Sequence, residues 1–168
     1  MLKLLGARQL GSKDVSDILR VFAADPVASC MVAARVEDCG LDPRMLHGEL
    51  WSRGGPQESL AFSGANLIPL RGSLDDLRAF ADRACRGPRM CSSIVGRAEL
   101  ALPLWELLEL DWGPAREVRR DQPLLVLTDS PACALDADVR RVRTSELETY
   151  LPAAISMFIE EVGIDPRA

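Results

Sequence analysis

The sequence predicts an α+β protein, an α/β sandwich in which helices flank a mixed, mostly antiparallel central sheet. Two observations carry this prediction. Apolar residues recur at helical spacing in several stretches, and these stretches alternate with short strand-like runs. Between residues 49 and 70, three strand-like runs follow one another with only short turns between them, which is typical of an antiparallel meander.

The composition is that of a globular protein and argues against two classes of partner. The 168 residues are 48% hydrophobic and 27% charged. No apolar run approaches the ~18–20 residues that a membrane-spanning helix needs, so we expect no membrane association. The net charge of −5 argues against a nucleic-acid partner, because such binding requires concentrated positive charge.

The cysteines and the single histidine predict a reduced protein without a metal site. None of the five cysteines lies in a Cys-x-x-Cys pair, and the N-terminus lacks the pattern of an export signal. We therefore expect a cytoplasmic location. His47 and the scattered thiols have no metal-ligand spacing. A hydrolase that uses Cys30 or Ser92 is a further hypothesis. His47 is the one possible base for a cysteine nucleophile, and the sequence shows no base near Ser92.

The first quarter of the chain predicts a strand followed by two helices. Residues 2–10 have a strand pattern, and Ser12 is a suitable cap for the helix after them. Asp25 and Pro26 form an N-cap and first-turn pair that begins the second helix, and Gly40 ends it. The predicted inward faces are Val15, Ile18, Leu19 and Phe22 in the first helix and Val27, Cys30, Met31 and Ala34 in the second.

The meander and the elements after it complete the predicted sheet. The three strands of the meander cover residues 49–53, 59–64 and 65–70, with Gly64 at a bulge or break. Ser73 caps the next helix, whose first turn carries Asp75 and Asp76. The remaining predictions are a strand over 90–95, a helix over 99–110, a last strand at Val118 and Leu124–Leu127, and a linker over 128–136.

The end of the chain repeats features of its beginning. A strand over 139–143 and a helix from Thr144 or Ser145 are predicted, with Pro152 expected to kink the helix or delay its start. Arg8 and Arg140 lie 132 positions apart, and the same offset aligns Leu10 with Val142, Ser12 with Thr144, Asp14 with Glu146, Val15 with Leu147 and Leu19 with Leu151. Each helical region closes on Gly-x-Asp-Pro-Arg. The similarity is either chance or a tandem repeat.

Five stretches, together with the order of the elements, carry a resemblance to a known family. They are residues 25–35, 63–70, 91–97, 112–119 and 157–166. They resemble actinobacterial two-part proteins of the GNAT N-acetyltransferase family, in which a poorly characterised N-terminal domain precedes an acetyl-CoA-binding one. The resemblance implies a degenerate GNAT-like domain over residues 1–134. It also implies, over residues 135–168, a linker with the first strand and helix of a second, truncated GNAT domain.

The resemblance also directs attention to the loop after the third strand of the meander. GNAT enzymes hold the CoA pyrophosphate there on backbone N–H groups of an Arg/Gln-x-x-Gly-x-Gly/Ala loop, where a helix N-terminus favours an anion. The equivalent loop here is shorter, and its candidate cofactor-binding residues are Arg71 and Gly72. Because Asp75 and Asp76 follow at once, we expect acetyl-CoA in the full family protein and none in this chain.

Two functional hypotheses follow from the resemblance. The first is part of a GNAT-type N-acyltransferase that transfers acetyl from acetyl-CoA to a small-molecule or protein amine. Glu160 and Glu161 are its candidate proton acceptors, with a solvated acidic turn as the alternative interpretation. The second is a non-catalytic binding or dimerisation module with a GNAT-like fold, which forms a homo-oligomer through the apolar face of residues 147–162.

Overall fold

The computed structural model describes residues 6–163 and 165–167 and confirms the α+β class. The chain divides into two compact units, Met1–Val126 and Leu127–Ala168. This division and the predicted boundary at residue 134 both fall within residues 113–143, which contain no helix or strand. The strands are β1 (Arg8–Gln9), β2 (Gly48–Ser52), β3 (Leu60–Gly64), β4 (Asn66–Arg71) and β5 (Ser93–Ile94). The α-helices are α1 (Val15–Ala24), α2 (Pro26–Cys39), α3 (Pro43–Leu46), α4 (Leu74–Ala84), α5 (Ala98–Trp112) and α6 (Leu147–Val162).

The first unit is built on one mixed sheet in the order β1-β2-β3-β4-β5. The first four strands pair antiparallel, and β5 pairs parallel to β4 after the crossover through α4. The register places Leu50 opposite Phe62, and Phe62 opposite Ile68. Side chains alternate between the two faces of the sheet, so this register decides which core each residue joins.

Each face of the sheet is covered by its own hydrophobic core. Leu50, Phe62 and Ile68 pack with α1 and α2, whereas their neighbours Trp51 and Leu67 pack with α4 and α5. Helices therefore cover the sheet on both sides, as the predicted sandwich requires. Among the described residues no helix has the length and apolar composition needed to span a membrane.

The capping signals at Asp25 and Ser73 are confirmed, whereas the predicted Ser12 cap is wrong, because Ser12 lies inside a 3₁₀ turn and Asp14 is the residue that precedes α1. The Asp25 carboxylate accepts a hydrogen bond from the backbone N–H of Ala28 at 3.3 Å, and Pro26 is the first residue of α2. Gly40 follows α2 with a φ of 66°, a conformation that glycine adopts without steric cost. Ser73 caps α4 as predicted, with Asp76 as its reciprocal partner.

Two predicted strands are wrong. Residues 113–143 form no strand, and Leu124–Leu127 are exposed. Pro123 lacks an N–H for a ladder, and no neighbouring strand among the described residues accepts these segments. A strand is stable only when its backbone groups pair, so an apolar run does not suffice. Within the sheet, the register shift lies between Leu60 and Ala61 and not at Gly64. Of the predicted first strand, residues 2–5 lie outside the described part.

The inward face of α2 also differs from the prediction. Its buried residues are Ser29, Val32 and Val36, whereas Val27 and Met31 are exposed. The Ser29 hydroxyl donates to the carbonyl oxygens of Phe22, at 3.1 Å, and Asp25, at 2.5 Å, which satisfies a buried polar group. Apolar residues lie all round α2, so the sequence pattern fitted two different buried faces of this helix about equally well. Cys30 is consequently exposed.

The second unit consists of an extended segment and α6. The helix begins at Leu147 and continues through Pro152 to Val162, so the predicted late restart is wrong, and the alternative, a kink at Pro152, stays a prediction. Pro152 is the sixth residue of α6 and removes only one N–H, the donor to the carbonyl of Glu148. No described residue of α6 is buried. The predicted strand over 139–143 does not form, because the described part of this unit holds no second strand to pair with it.

The two repeated openings adopt the same local structure. The Arg8 guanidinium donates to both carboxylate oxygens of Asp14, at 3.0 and 2.8 Å, and the N–H of Gly11 donates to Asp14 at 3.0 Å. Arg140 binds both oxygens of Glu146 in the same way, at 2.8 and 2.5 Å. The N–H of Arg143 donates to Glu146 at 2.8 Å. A short 3₁₀ turn precedes the α-helix in both copies.

The closing Gly-x-Asp-Pro-Arg sequences also match in structure. The Asp42 carboxylate accepts from the N–H of Arg44 at 2.9 Å, and Asp165 accepts from the N–H of Arg167 at 2.9 Å. Both are turns in which an Asp side chain binds the backbone two residues on. The two closing sequences lie 123 positions apart, nine fewer than the openings, and the tandem repeat stays a prediction.

Replacing Asp14 tests whether the first opening stabilises the fold. The hydrogen bonds from Arg8 lower the pKa of Asp14 to about 2, against the effect of burial. The carboxyl is therefore more acidic folded than unfolded, and its stabilisation is present above about pH 4 and lost as the pH falls towards 2. We expect Asp14→Asn to remove roughly 1 kcal/mol of this pH-dependent stability, a figure reduced for the solvent that screens Arg8. Urea unfolding between pH 5 and 2 measures it.

Asp17→Asn is the matched control, because the Asp17 side chain is 40% exposed and its carboxylate pairs with Arg20 three residues away on the same helix. This variant should retain the pH dependence of the wild type. Identical pH profiles for Asp14→Asn and the wild type would contradict the role given to Arg8 and Asp14.

Candidate functional site

The loop after β4 is closed around its own helix cap. Arg71, the last residue of β4, is exposed. Gly72 follows with a φ of 151°, and a Cβ at this position would lie 2.9 Å from the Cβ of Asp76. Close packing against Asp76 therefore requires glycine at this position, and this explains Gly72 without a coenzyme bound to the loop.

Asp76 occupies the N-terminus of α4. Its carboxylate accepts from the N–H of Ser73 at 2.8 Å and from the Ser73 hydroxyl at 2.6 Å. Its second oxygen accepts from Arg53 at 3.1 Å. Burial acts to raise the pKa of Asp76, but the bonds from Ser73 and Arg53 outweigh it and the pKa is lowered. An ionised carboxylate thus lies where a bound phosphate would need donors and positive potential.

The other predicted site residues lie within their own units. Glu160 and Glu161 are exposed at the end of α6, in the second unit. Ser92 donates its hydroxyl to the carbonyl of Ala65 at 3.3 Å. No group of three or more His, Cys, Asp or Glu side chains in the described chain is placed to hold a metal ion.

A groove opens at the opposite end of α4, which we call the α4 groove. It lies on the sheet face covered by α4 and α5 and has a volume of about 850 Å³. This volume is in the range of small-molecule sites in proteins. Its walls come from the start of β2, the turn between β3 and β4, the end of α4, the loop over residues 86–91 and the end of α5. His47, whose φ is 51°, also lines it.

Glu49 fixes an arginine and a tryptophan on one wall of the groove. Glu49 and Trp51 are two residues apart on β2 and so face the same side of the sheet. One Glu49 oxygen accepts from the indole N–H of Trp51 at 2.8 Å and from Arg83 at 3.0 Å. The Arg83 guanidinium carbon lies 5.0 Å from the centre of the Trp51 ring, within the range of a cation–π interaction.

Arg83 retains an unsatisfied hydrogen-bond donor. Its terminal nitrogens reach Glu49 and, at 3.4 Å, the carbonyl of Ala7. Its Nε is buried and has no hydrogen-bond partner among the described residues. An unpaired buried donor costs about 1–3 kcal/mol, and such groups are few in native proteins.

A second arginine–tryptophan pair lies next to the groove, which Trp112 lines and Arg89 does not. The Arg89 guanidinium carbon lies 5.2 Å from the centre of the Trp112 ring, and its Nε donates to the carbonyl of Cys91 at 3.0 Å. Burial raises the pKa of the Cys91 thiol, so the thiol is protonated at neutral pH and is not an activated nucleophile. Arg86 lies between the two pairs along the chain, is exposed and lines the groove.

Sequence analysis missed this site, because its parts are far apart in the chain. Glu49 and Arg83 are 34 residues apart, and only the fold brings them together. One signal was present: Arg83, Arg86 and Arg89 recur every third residue across the predicted end of a helix. This spacing indicates positive charge concentrated at one end of α4.

The fold and the groove define the class of protein: a mixed-sheet α+β domain with an arginine- and tryptophan-lined cavity. A family model described as "Domain of unknown function (DUF4081)" matches residues 48–150, which is more than half of the chain, from the start of β2 into α6. The chain therefore belongs to the DUF4081 family. No curated protein and no solved structure matches it.

Substitution of Asp76 tests the closed loop. Asp76→Ala removes the partner of Ser73 and Arg53, and we expect a loss of about 1.5–3 kcal/mol of unfolding free energy. Asp75→Ala changes the neighbouring carboxylate, which is exposed and pairs with Arg78, and should cost less than about 1 kcal/mol. Urea unfolding at pH 7 measures both values. Equal losses would mean that Asp76 has no special structural role.

Proposed function

We propose that this chain is the non-catalytic part of a GNAT-type N-acyltransferase and that its first unit is a binding module with a GNAT-like fold. Acetyl transfer from acetyl-CoA to the amine acceptor then takes place outside this unit. The observation that carries the proposal is the contrast between the two ends of α4. The N-terminal end is filled by the Asp76 carboxylate, whereas the C-terminal end opens into the α4 groove.

The order of elements supports the GNAT-like part of the proposal. A strand, a helix pair, three antiparallel strands, a helix, a strand and a further helix follow one another from β1 to α5. This is the order expected from the GNAT resemblance up to its last strand. Resemblance in fold does not by itself carry an activity.

The chemistry of the loop supports the non-catalytic part. A pyrophosphate needs free N–H donors at a helix N-terminus and a loop that admits it. Here Asp76 takes hydrogen bonds from Ser73, and both Asp75 and Asp76 oppose an added anion. The residues present at this loop therefore do not fit the coenzyme.

Titration with acetyl-CoA tests this function. We expect no saturable heat and no rise in unfolding temperature up to about 1 mM acetyl-CoA. A coenzyme with a Kd of about 10 μM would instead stabilise the protein by about 2.7 kcal/mol at that concentration. Arg71→Gln is the companion variant. Saturable acetyl-CoA binding that Arg71→Gln weakens would make the loop a working coenzyme site and would contradict the proposal.

A second candidate function is association through α6, and the exposure of that helix favours it. The predicted stripe of α6 leaves Leu147 40%, Leu151 48% and Phe158 39% exposed. Burial of such side chains contributes about 1.5–3 kcal/mol each. We propose that the apolar face of residues 147–162 mediates a homo-oligomer.

The mass of the full chain in solution tests association. At about 100 μM, sedimentation equilibrium should give an oligomer for the wild type and a monomer for Leu151→Glu/Phe158→Glu, because charges on the stripe oppose burial. Glu160→Gln is the control, since at 100° per residue it lies on the opposite side of α6, and it should leave the oligomer intact. A monomeric wild type would contradict this candidate.

We also propose a reducing, cytoplasmic location. All five cysteines are free thiols, and free cysteines persist in reducing compartments. Cys91 is buried, and its backbone carbonyl accepts the bond from Arg89.

A further inference from the structure

We propose that the α4 groove binds a small organic carboxylate with an apolar, preferably aromatic, body. The inference rests on the proposed function, because it names the ligand class of that binding module. Three features of the groove support it: positive charge, an arginine held in place and apolar walls.

The first argument is the charge. Arg83 and Arg86 line the groove, and Arg89 stacks on Trp112, which also lines it. The opposing charge on the groove wall is Glu49, which is engaged with Arg83 and Trp51. Arg86 has no ion-pair partner within the described chain. In a protein with a net charge of −5, such a cluster selects an anion, and the guanidinium fork matches a carboxylate.

The groove also presents an arginine that is already held in place. Arg83 is bound by Glu49 on one side and lies against the Trp51 ring on the other. Its Nε is buried and out of reach of a ligand, but the side chain lines the groove and is 26% exposed, so a carboxylate can approach the exposed part of the guanidinium. The arginine is already positioned, so binding does not have to order it.

The third argument is the size and polarity of the walls. A bare inorganic anion would occupy a small part of about 850 Å³. Leu67, Ala84, Pro88, Met90 and Trp112 give the groove apolar wall beside its polar side chains, which include His47, Glu49 and Ser63. Apolar walls with a few placed polar groups are typical of sites for amphipathic small molecules. Trp112 is half-buried and lines the groove, and an aromatic ring favours contact with a flat, apolar ligand.

Three probes separate these features in the full chain. 2-Naphthoate has the charge and the body, 2-naphthamide has the same body without the charge, and inorganic phosphate has charge without the body. We expect saturable calorimetric binding of 2-naphthoate and at least about tenfold weaker binding of 2-naphthamide, as the loss of a charge-assisted hydrogen bond predicts. Phosphate at the same concentration should not displace 2-naphthoate.

The indole N–H resonances locate the ligand. Trp51 and Trp112 line the groove and Trp105 does not, so 2-naphthoate should shift the first two resonances and leave the third in place. Arg86→Gln should weaken binding at least about tenfold. Arg78→Gln is the matched control, because Arg78 is also on α4 but is exposed, pairs with Asp75 and lies outside the groove; it should bind as the wild type does.

Several outcomes would overturn the inference: no binding of 2-naphthoate, equal binding of 2-naphthamide, displacement by phosphate alone, or equal effects of Arg86→Gln and Arg78→Gln. These failures are distinct from a failure of the proposed function. Acetyl-CoA bound through Arg71 would contradict the non-catalytic proposal and leave the 2-naphthoate result standing. If neither 2-naphthoate nor acetyl-CoA binds, the proposed ligand class of the α4 groove is wrong, and the non-catalytic proposal is not contradicted.

Discussion

The register of β2, β3 and β4 is the constraint on which the rest of the first unit depends. Because both faces of the sheet are buried, each strand residue must join one of two cores, and a slip of one residue would exchange them. The register that places Leu50 with Phe62 on the α1 side also places Glu49 and Trp51 on the α4 side. The α4 groove is thus a consequence of core packing. When β2 places Leu50 in the core on the α1 side, Glu49 lies on the opposite face, where it contacts Arg83.

The two ends of α4 have opposite electrostatic roles. A helix carries about half a positive charge at its N-terminus and half a negative charge at its C-terminus. The positive end, which would attract a phosphate, is neutralised by Asp76. The negative end would repel an anion, but Arg83 lies in the last turn and Arg86 and Arg89 lie beyond it. Full guanidinium charges outweigh the partial charge of the helix end. An anion is therefore favoured at the C-terminal end of α4 and opposed at its N-terminal end.

What the sequence could predict was set by how local each feature is. The caps at Asp25 and Ser73 involve residues within three positions and were predicted correctly. The strand expected at Leu124–Leu127 failed because a strand needs a partner that its own residues do not specify. The face of α2 was misjudged because a buried serine satisfied by backbone carbonyls looks polar in a sequence. The groove depends on a contact between Glu49 and Arg83, which are distant in the sequence. The only sequence signal for it was the three-residue spacing of Arg83, Arg86 and Arg89.

The repeated opening shows how a local structure can be separated from its burial. The bonds of Arg8 with Asp14 and of Arg140 with Glu146 each close within seven residues, so each opening can form whatever surrounds it. Their helices differ in environment: α1 buries Ile18, Val21 and Phe22, whereas no described residue of α6 is buried. In the first unit the apolar face of this helix is covered by a sheet and a second helix. The same opening in the second unit presents an apolar face without that cover, which is the physical reason to expect a partner on α6.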